Sequence, residues 1–415
     1  MERKSMSWKN RWWIFWAVCL VACSVVTGCS ATKKEDKGGT DTRERAAGLY
    51  PSEPAEMRDI PAQELVDEMK LGWNLGDTLD VCEADRDGDG KVNETAPEGQ
   101  EVEETLWGNP RTTKEMFDTM KSLGFNAVRI PVTWRDHTGS APSYTVNEDW
   151  MNRVEEVVRY AYDNGMYVIL NIHHEGGGAP DFGAWICHAA EGVEKKKEVM
   201  ERYVALWEQI ADRFQNYSDH LIFESMNEVG FDDLGEETGM ELLCEMNQLF
   251  VDVIRRSGGN NERRYLLIAG YWTDIEKTCQ GGFHMPEDTI ADREILSVHY
   301  YTPWEFCTTN VQKTWGTEDD VKLMESKINM LKEHFVDEGV PVIIGEYGVG
   351  RNEEASCNYF MENLVKLCHE NRIATYLWDN GQGAHFDREK LCWKTEGQIE
   401  ALQRAVSDEA YQIKK

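Results

Sequence analysis

The sequence predicts a (β/α)8 TIM barrel, a closed cylinder of eight parallel strands wrapped by helices, and three observations carry that expectation. From residue 71 onward, short β-branched runs alternate with long amphipathic segments, the order that gives parallel strands joined by helical crossovers. The strand candidates are nearly continuous in apolar residues, as strands covered on both faces must be. Eight of them are present, the number that closes such a sheet on itself. An open doubly wound sheet is the rival, but no GxGxxG follows the first strand and eight units exceed its usual count.

The strands are expected at 71–76, 127–132, 167–173, 221–228, 265–271, 295–302, 341–349 and 374–381. Helical periodicity fills 112–123, 148–164, 195–217, 239–257, 317–338, 355–371 and 395–412. Gly124, Gly165, Gly258 and Gly339 follow four of these segments, where a left-handed residue commonly ends a helix. The fifth unit is irregular: 272–294 shows no clean helix, so a loop-rich connection is expected. Residues 61–415 read as one catalytic domain, large but within the range of such barrels.

The segment before the barrel reads as an address. Arg3, Lys4, Lys9 and Arg11 precede an apolar run from Trp12 to Val26, which ends in Thr27-Gly28-Cys29. That is a charged, apolar and small-residue succession typical of a secretory signal. The run is too short to span a bilayer. A cysteine directly after small residues resembles the bacterial lipoprotein signal, so 1–28 is expected to be removed and Cys29 to be lipidated. Residues 29–60 are polar and read as a flexible tether to the membrane. The expected location is therefore extracytoplasmic, on the cell surface. Eight cysteines remain beyond Cys29, an even count that permits disulfides outside the cytosol. Cys244 and Cys368 sit at helical-core spacing and read as buried thiols.

Charge and composition narrow the partners. With 44 Lys+Arg against 75 Asp+Glu the net charge is −31, and loss of 1–28 makes it −34. That field excludes nucleic acid and disfavours any polyanionic substrate. A neutral ligand meets no such barrier. The 15 tryptophans supply flat faces of the kind sugar rings pack on. The chain is expected to act as a monomer.

A barrel of this kind places its chemistry at the carboxyl ends of its strands. Those ends read Asn74, Arg129, His173-His174, Asn227-Glu228, His299-Tyr300-Tyr301, Glu346 and Trp378. Two apolar strands finishing in Glu228 and Glu346 ask for a reason, because an isolated buried carboxylate is costly. Glycoside cleavage supplies one: it needs a protonated carboxyl to release the leaving oxygen and an ionised one to attack or to activate water. Glu224 shares the parity of Glu228 but lies deeper, so it is expected to pair inside the barrel.

Seven stretches together make a family resemblance. They are Gly72-Trp73-Asn74-Leu75-Gly76, Asn126 to Trp134, Leu170-Asn171-Ile172-His173-His174-Glu175, Phe223 to Glu228, Val298-His299-Tyr300-Tyr301-Thr302-Pro303-Trp304, Ile344-Gly345-Glu346-Tyr347-Gly348 and Leu377-Trp378-Asp379. Residues 65–412 resemble glycoside hydrolase family 5, the retaining endoglucanase and cellulase family, and most closely the subgroup acting on β-1,4-glucan, xyloglucan and mixed-linkage β-glucan. The resemblance implies Glu228 as acid/base and Glu346 as nucleophile, separated by about 5 Å as retention requires. It implies substrate-site roles for Asn74, Arg129, His173, His174, Asn227, His299, Tyr301 and Trp378, with Arg129 and Tyr301 holding Glu346. Trp134 and Trp304 are expected as flanking sugar platforms, and His137 and His174 either touch substrate or cap loops. Asp77 stands where the family usually has Asn. The implied activity is endo-β-1,4-glucanase without a cofactor. A β-mannanase on the same barrel and a non-catalytic carbohydrate-binding lipoprotein are the alternatives.

One motif lies outside the resemblance. Asp85, Asp87 and Asp89 with Gly90 and Asn93 imitate a calcium loop, although Ala96 replaces the twelfth-position glutamate. A structural calcium site is expected there, the alternative being a solvated acidic turn.

Overall fold

The computed structural model describes residues 53–84, 95–97, 100–176, 183–350, 352–381 and 385–413. The lipidation site at Cys29, the signal and the calcium-like Asp85, Asp87 and Asp89 lie outside the described residues.

Eight parallel strands close into a barrel in chain order: β1 (Gly72–Leu75), β2 (Ala127–Ile130), β3 (Tyr167–Asn171), β4 (Leu221–Glu224), β5 (Leu266–Asp274), β6 (Glu294–Tyr300), β7 (Val342–Tyr347) and β8 (Ala374–Asp379). Closure is the pairing of β1 with β8, Asn74 opposite Trp378. The outer ring comprises α2 (Lys114–Ser122), α3 (Glu148–Tyr162), α4 (Val193–Arg213), α5 (Glu236–Arg256), α8 (Glu318–Leu331), α9 (Glu354–Glu370) and α10 (Gln398–Ala405). After β5 the connection holds only the short α6 (Ile275–Cys279), and α7 (Trp304–Cys307) follows β6. The expected loop-rich fifth unit is what forms. Helix α10 is shorter than the 395–412 expected.

The alternation of a strand divides the core in two. Outward-facing Trp73, Val128, Leu170, Phe223, Ile268, Val298, Ile344 and Leu377 pack with the helices in the larger cluster. Inward-facing Ala127, Tyr167, Ile169, Ile222, Tyr265, Leu267, Ile343 and Tyr376 fill the floor of the barrel. A further helix, α1 (Ala62–Glu68), outside the segments with helical periodicity, plugs that floor with Leu65 and Val66. Its apolar positions are too few to stand out by periodicity.

Two expectations change here. The end of the 29–60 tether is docked: Ala55 N donates to Asn216 O at 2.8 Å, Arg58 Nε to Asp219 at 2.6 Å, and Tyr265 OH to Ile60 O at 2.5 Å. Strand pairing in β4 stops at Glu224, so Glu228 lies in the following loop at φ +47°. The cysteines agree with their reading: among the described residues all eight are free thiols, and Cys244 and Cys368 are buried as their helical spacing predicts.

Candidate active site

The inward-facing set at the upper end of the barrel is polar where the floor is apolar, and Arg129 organises it. Its guanidinium is fully buried, and Nε donates to Glu224 Oε2 at 2.7 Å, Nη2 to Asn227 Oδ1 at 2.7 Å, and Nη1 to Glu346 Oε1 at 2.7 Å and Asn74 Oδ1 at 3.1 Å. Glu224 also accepts from Asn171 and Ser297. It is thus the interior partner that its parity suggests.

Strict alternation would turn Glu346 outward beside Ile344. The register of β7 shifts against β8 between Ile344 and Tyr347, and against β6 between the pairs Val298–Ile344 and His299–Glu346. A bulge of this kind re-aims a side chain, and here it delivers Glu346 to Arg129. Tyr301 OH completes the clamp, donating to Glu346 Oε2 at 3.0 Å.

Glu228 has a different environment. Its Oε1 is 3.0 Å from His299 Nδ1, which is 3.6 Å from Glu346 Oε2. Burial lowers the His299 pKa to about 4; the ring is neutral, and Nδ1 is the nitrogen that faces both carboxyls. Burial raises the Glu228 carboxyl to about 7, opposed by the charge of Arg129 and assisted by that of Glu224. Burial also pushes Glu346 above its ordinary value, but His299, Arg129 and the Arg129 hydrogen bond pull it back. The two carboxyls lie close: one oxygen of each, with a His299 nitrogen, falls within 4.8 Å.

His173 forms a second edge of the site, stacked parallel to Trp378 at 5.8 Å. Asn171 Oδ1 accepts from Val132 N and its Nδ2 donates to Glu224. Nδ2 therefore also donates to His173 Nδ1, 3.2 Å away, which leaves the His173 proton on Nε2. Asp80, His173 and His174 could each offer one atom to a cation within 4.8 Å. That tautomer opposes coordination, because binding through Nε2 would move a proton onto the Nδ1 that Asn171 already serves.

Several sequence expectations are corrected by burial. Asn74 and Arg129 are fully buried; Arg129 holds Glu346 as expected, while Asn74 bonds Arg129 and the backbone of Gly345, Tyr376 and Leu377 rather than a ligand. Trp134 is also fully buried and donates Nε1–H to Asn171 O at 3.0 Å; it is core, not a sugar platform. His137 is buried against Trp150, with ring centroids 3.8 Å apart. His174 stays at the rim, its ring tilted against Trp107. Trp378 and Trp304 remain half-buried.

Trp304 lines a cavity of about 370 Å³ together with Glu228, Trp272, His299, Tyr301 and Leu323. Trp272 and Leu323 were not singled out from the sequence. Trp272 opens the irregular fifth connection, where no period marks it, and Leu323 looks like any apolar position of a helix.

The description "Cellulase (glycosyl hydrolase family 5)" matches residues 89–384. The chain is 36% identical over 408 residues to the cellulase/esterase CelE of Acetivibrio thermocellus, covering 94% of this chain and 45% of that protein. It therefore spans less than half the length of that relative. With endoglucanase A of Ruminococcus albus the identity is 36% over 391 residues, 89% of this chain and 98% of that one. The structure of a family 5 xyloglucanase from Paenibacillus pabuli matches with a TM-score of 0.73 at 33% identity, over 83% of this chain and 100% of that one.

Proposed function

The chain belongs to glycosyl hydrolase family 5, and from that premise we propose that it is an endo-acting β-1,4-glucanase using retaining double displacement. One observation carries the mechanism: two carboxyls within 4.8 Å, one clamped by Arg129 and Tyr301 and the other raised to about 7 beside a neutral histidine. Two nearby carboxyls with opposite environments are what acid and nucleophile roles demand.

In the first step Glu228 gives its proton to the glycosidic oxygen while ionised Glu346 attacks the anomeric carbon. Arg129 and Tyr301 orient Glu346. The Asn227 amide, fixed by Arg129 on its Oδ1, presents Nδ2 to the sugar 2-hydroxyl, a contact that strengthens as the ring flattens. His299 Nδ1, 3.0 Å from Glu228 Oε1, is the hydrogen-bond partner of that carboxyl. In the second step Glu228 takes a proton from water, whose oxygen displaces Glu346 from the sugar. The cleaved sugar rests on Trp378, with the His173 Nε2–H and His174 at its edge. The reaction uses only these side chains, so no cofactor is required.

The substrate class proposed is β-glucan, cellulose and xyloglucan, supported by relatives described as an endoglucanase and a xyloglucanase. Reducing-sugar release from barley glucan, xyloglucan, carboxymethyl cellulose and mannan tests it. Release from mannan alone would overturn the glucanase reading, and no release from any would overturn the catalytic one.

We also propose, on the sequence alone, that the protein is a monomeric extracytoplasmic lipoprotein anchored at Cys29, with a structural calcium ion held by Asp85, Asp87 and Asp89. Globomycin-sensitive processing and metabolic labelling with a fatty acid test the anchor.

A further inference from the structure

Two pairs register β4 with β5, Phe223 with Leu266 and Glu224 with Leu267. Glu228 stands past the second of them, at a φ of +47° that residues other than glycine rarely adopt. A backbone in that state persists only where its surroundings hold it. The same surroundings fix the acid, whose proton must reach one oxygen of the substrate.

Beyond Glu224 the seam between the two strands is carried by side chains. Ser225 N donates to Leu267 O at 2.9 Å. Ala269 N then donates to Ser225 Oγ at 3.1 Å, and that hydroxyl donates to Asn247 Oδ1 at 2.8 Å. Asn247 Nδ2 returns to Ala269 O at 3.0 Å. These bonds close a ring that joins β5 and the end of β4 to the middle of α5. From α4, Tyr203 OH donates to Ser225 O at 2.8 Å.

Helix α5 buries Leu243, Met246, Phe250 and Val251 around Asn247. An amide in such company is costly unless its hydrogen bonds are met, and this ring meets both of its polar atoms. Asn247 is fully buried and does not line the cavity beside Glu228. Its reach into the site runs along the chain. Met226 is buried, Asn227 is bonded to Arg129, and Val229 O accepts from Trp272 N at 2.8 Å. The segment that carries Glu228 is thus tied to β5 below by Ser225 and above by Val229.

We propose that Asn247 is a positioning residue for the acid: through Ser225 it fixes the backbone from which Glu228 delivers its proton to the glycosidic oxygen. This deepens the double-displacement reading and rests on it. Glu346 is held separately, by Arg129 and Tyr301. Loosening the ring therefore displaces the acid and leaves the nucleophile in place. Such a displacement is felt according to how much the leaving group needs protonation.

The test compares kcat/KM for phenyl β-cellobioside, whose leaving group needs the acid, with that for dinitrophenyl β-cellobioside, whose leaving group does not. Asn247→Leu lowers the phenyl value about tenfold or more and leaves the dinitrophenyl value near wild type. Ser225→Ala, which breaks the same ring by loss of one hydroxyl, falls in the same sense, and the double variant loses little beyond either single one. Should Asn247→Leu fail to fold, Ser225→Ala alone decides. No loss on the phenyl substrate, or an equal loss on both, overturns the proposal. A Glu228→Gln variant that loses as much on dinitrophenyl as on phenyl would instead overturn the acid assignment beneath it.

Discussion

Arg129 Nη1 meets Glu346 Oε1 at 2.7 Å while Arg129 Nε meets Glu224 Oε2 at 2.7 Å, so one buried cation serves two buried acids. Removing it leaves both acids uncompensated, a change costing about 3–5 kcal/mol when a buried pair is broken. Arg129→Met is expected to lower the melting temperature sharply and to destroy activity. The double variant Arg129→Met/Glu224→Gln should regain part of the stability but none of the activity, because Glu346 still lacks its clamp. Calorimetry with an aryl glycoside assay separates the two effects, and equal recovery of both would refute the division of labour.

Glu228 must hold a proton to act, and its carboxyl is raised to about 7. Activity should therefore fall as pH rises through about 7. The acid limb belongs to Glu346, whose ionisation is shifted above the ordinary carboxyl value. Glu228→Gln should lose about 10²–10⁴-fold on a glucan and much less on a dinitrophenyl glycoside, whose leaving group needs no acid. A basic limb that survives in the variant would show that another group sets it.

The same group links stability to pH. The folded protein binds the Glu228 proton more tightly than the unfolded chain does, so this contribution is complete below the ordinary glutamate range and is lost as pH rises toward 7. Glu228→Gln cannot ionise. Its melting temperature relative to wild type should therefore increase between pH 4.5 and pH 7 and level off above. A constant difference would mean that burial does not hold the proton on Glu228.

How much of this was readable beforehand depended on the kind of signal. Strand and helix alternation exposed the barrel because each element repeats a period. Glu228 and Glu346 stood out because apolar strands rarely finish in acid. The bulge that turns Glu346 inward left no mark, since it is a property of register between β6, β7 and β8 rather than of local residues. Trp134 and Trp378 look alike in the chain, yet one is core and the other half-buried. The first lies beyond β2 with its indole N–H bonded to Asn171 O; the second faces the barrel mouth.

That contrast is testable. Trp134→Ala should cost about 3–5 kcal/mol of stability, as truncation of a buried aromatic does. Trp378→Ala should leave the fold nearly as stable but raise KM, because a sugar platform contributes in the complex. Denaturation midpoints alongside KM for both variants decide it; a large stability loss at Trp378 with unchanged KM would reassign that residue to the core.

The docked segment before α1 gives a last prediction. Arg58 donates to Asp219, whose side chain is almost fully buried, and Asp59 meets Arg293, also buried. Ile60 O accepts from Tyr265 OH and from Arg293. A chain beginning at residue 61 would leave Asp219 and Arg293 without these partners at the barrel floor, on the opposite end from Glu228 and Glu346. Buried polar groups stripped of partners are costly. Such a chain should therefore unfold at lower denaturant than one beginning at residue 53. Its pH profile and KM should be unchanged wherever both remain folded. Equal midpoints for the two chains would show that residues 53–60 add nothing to the fold. A shifted pH profile would show that the floor communicates with the acid.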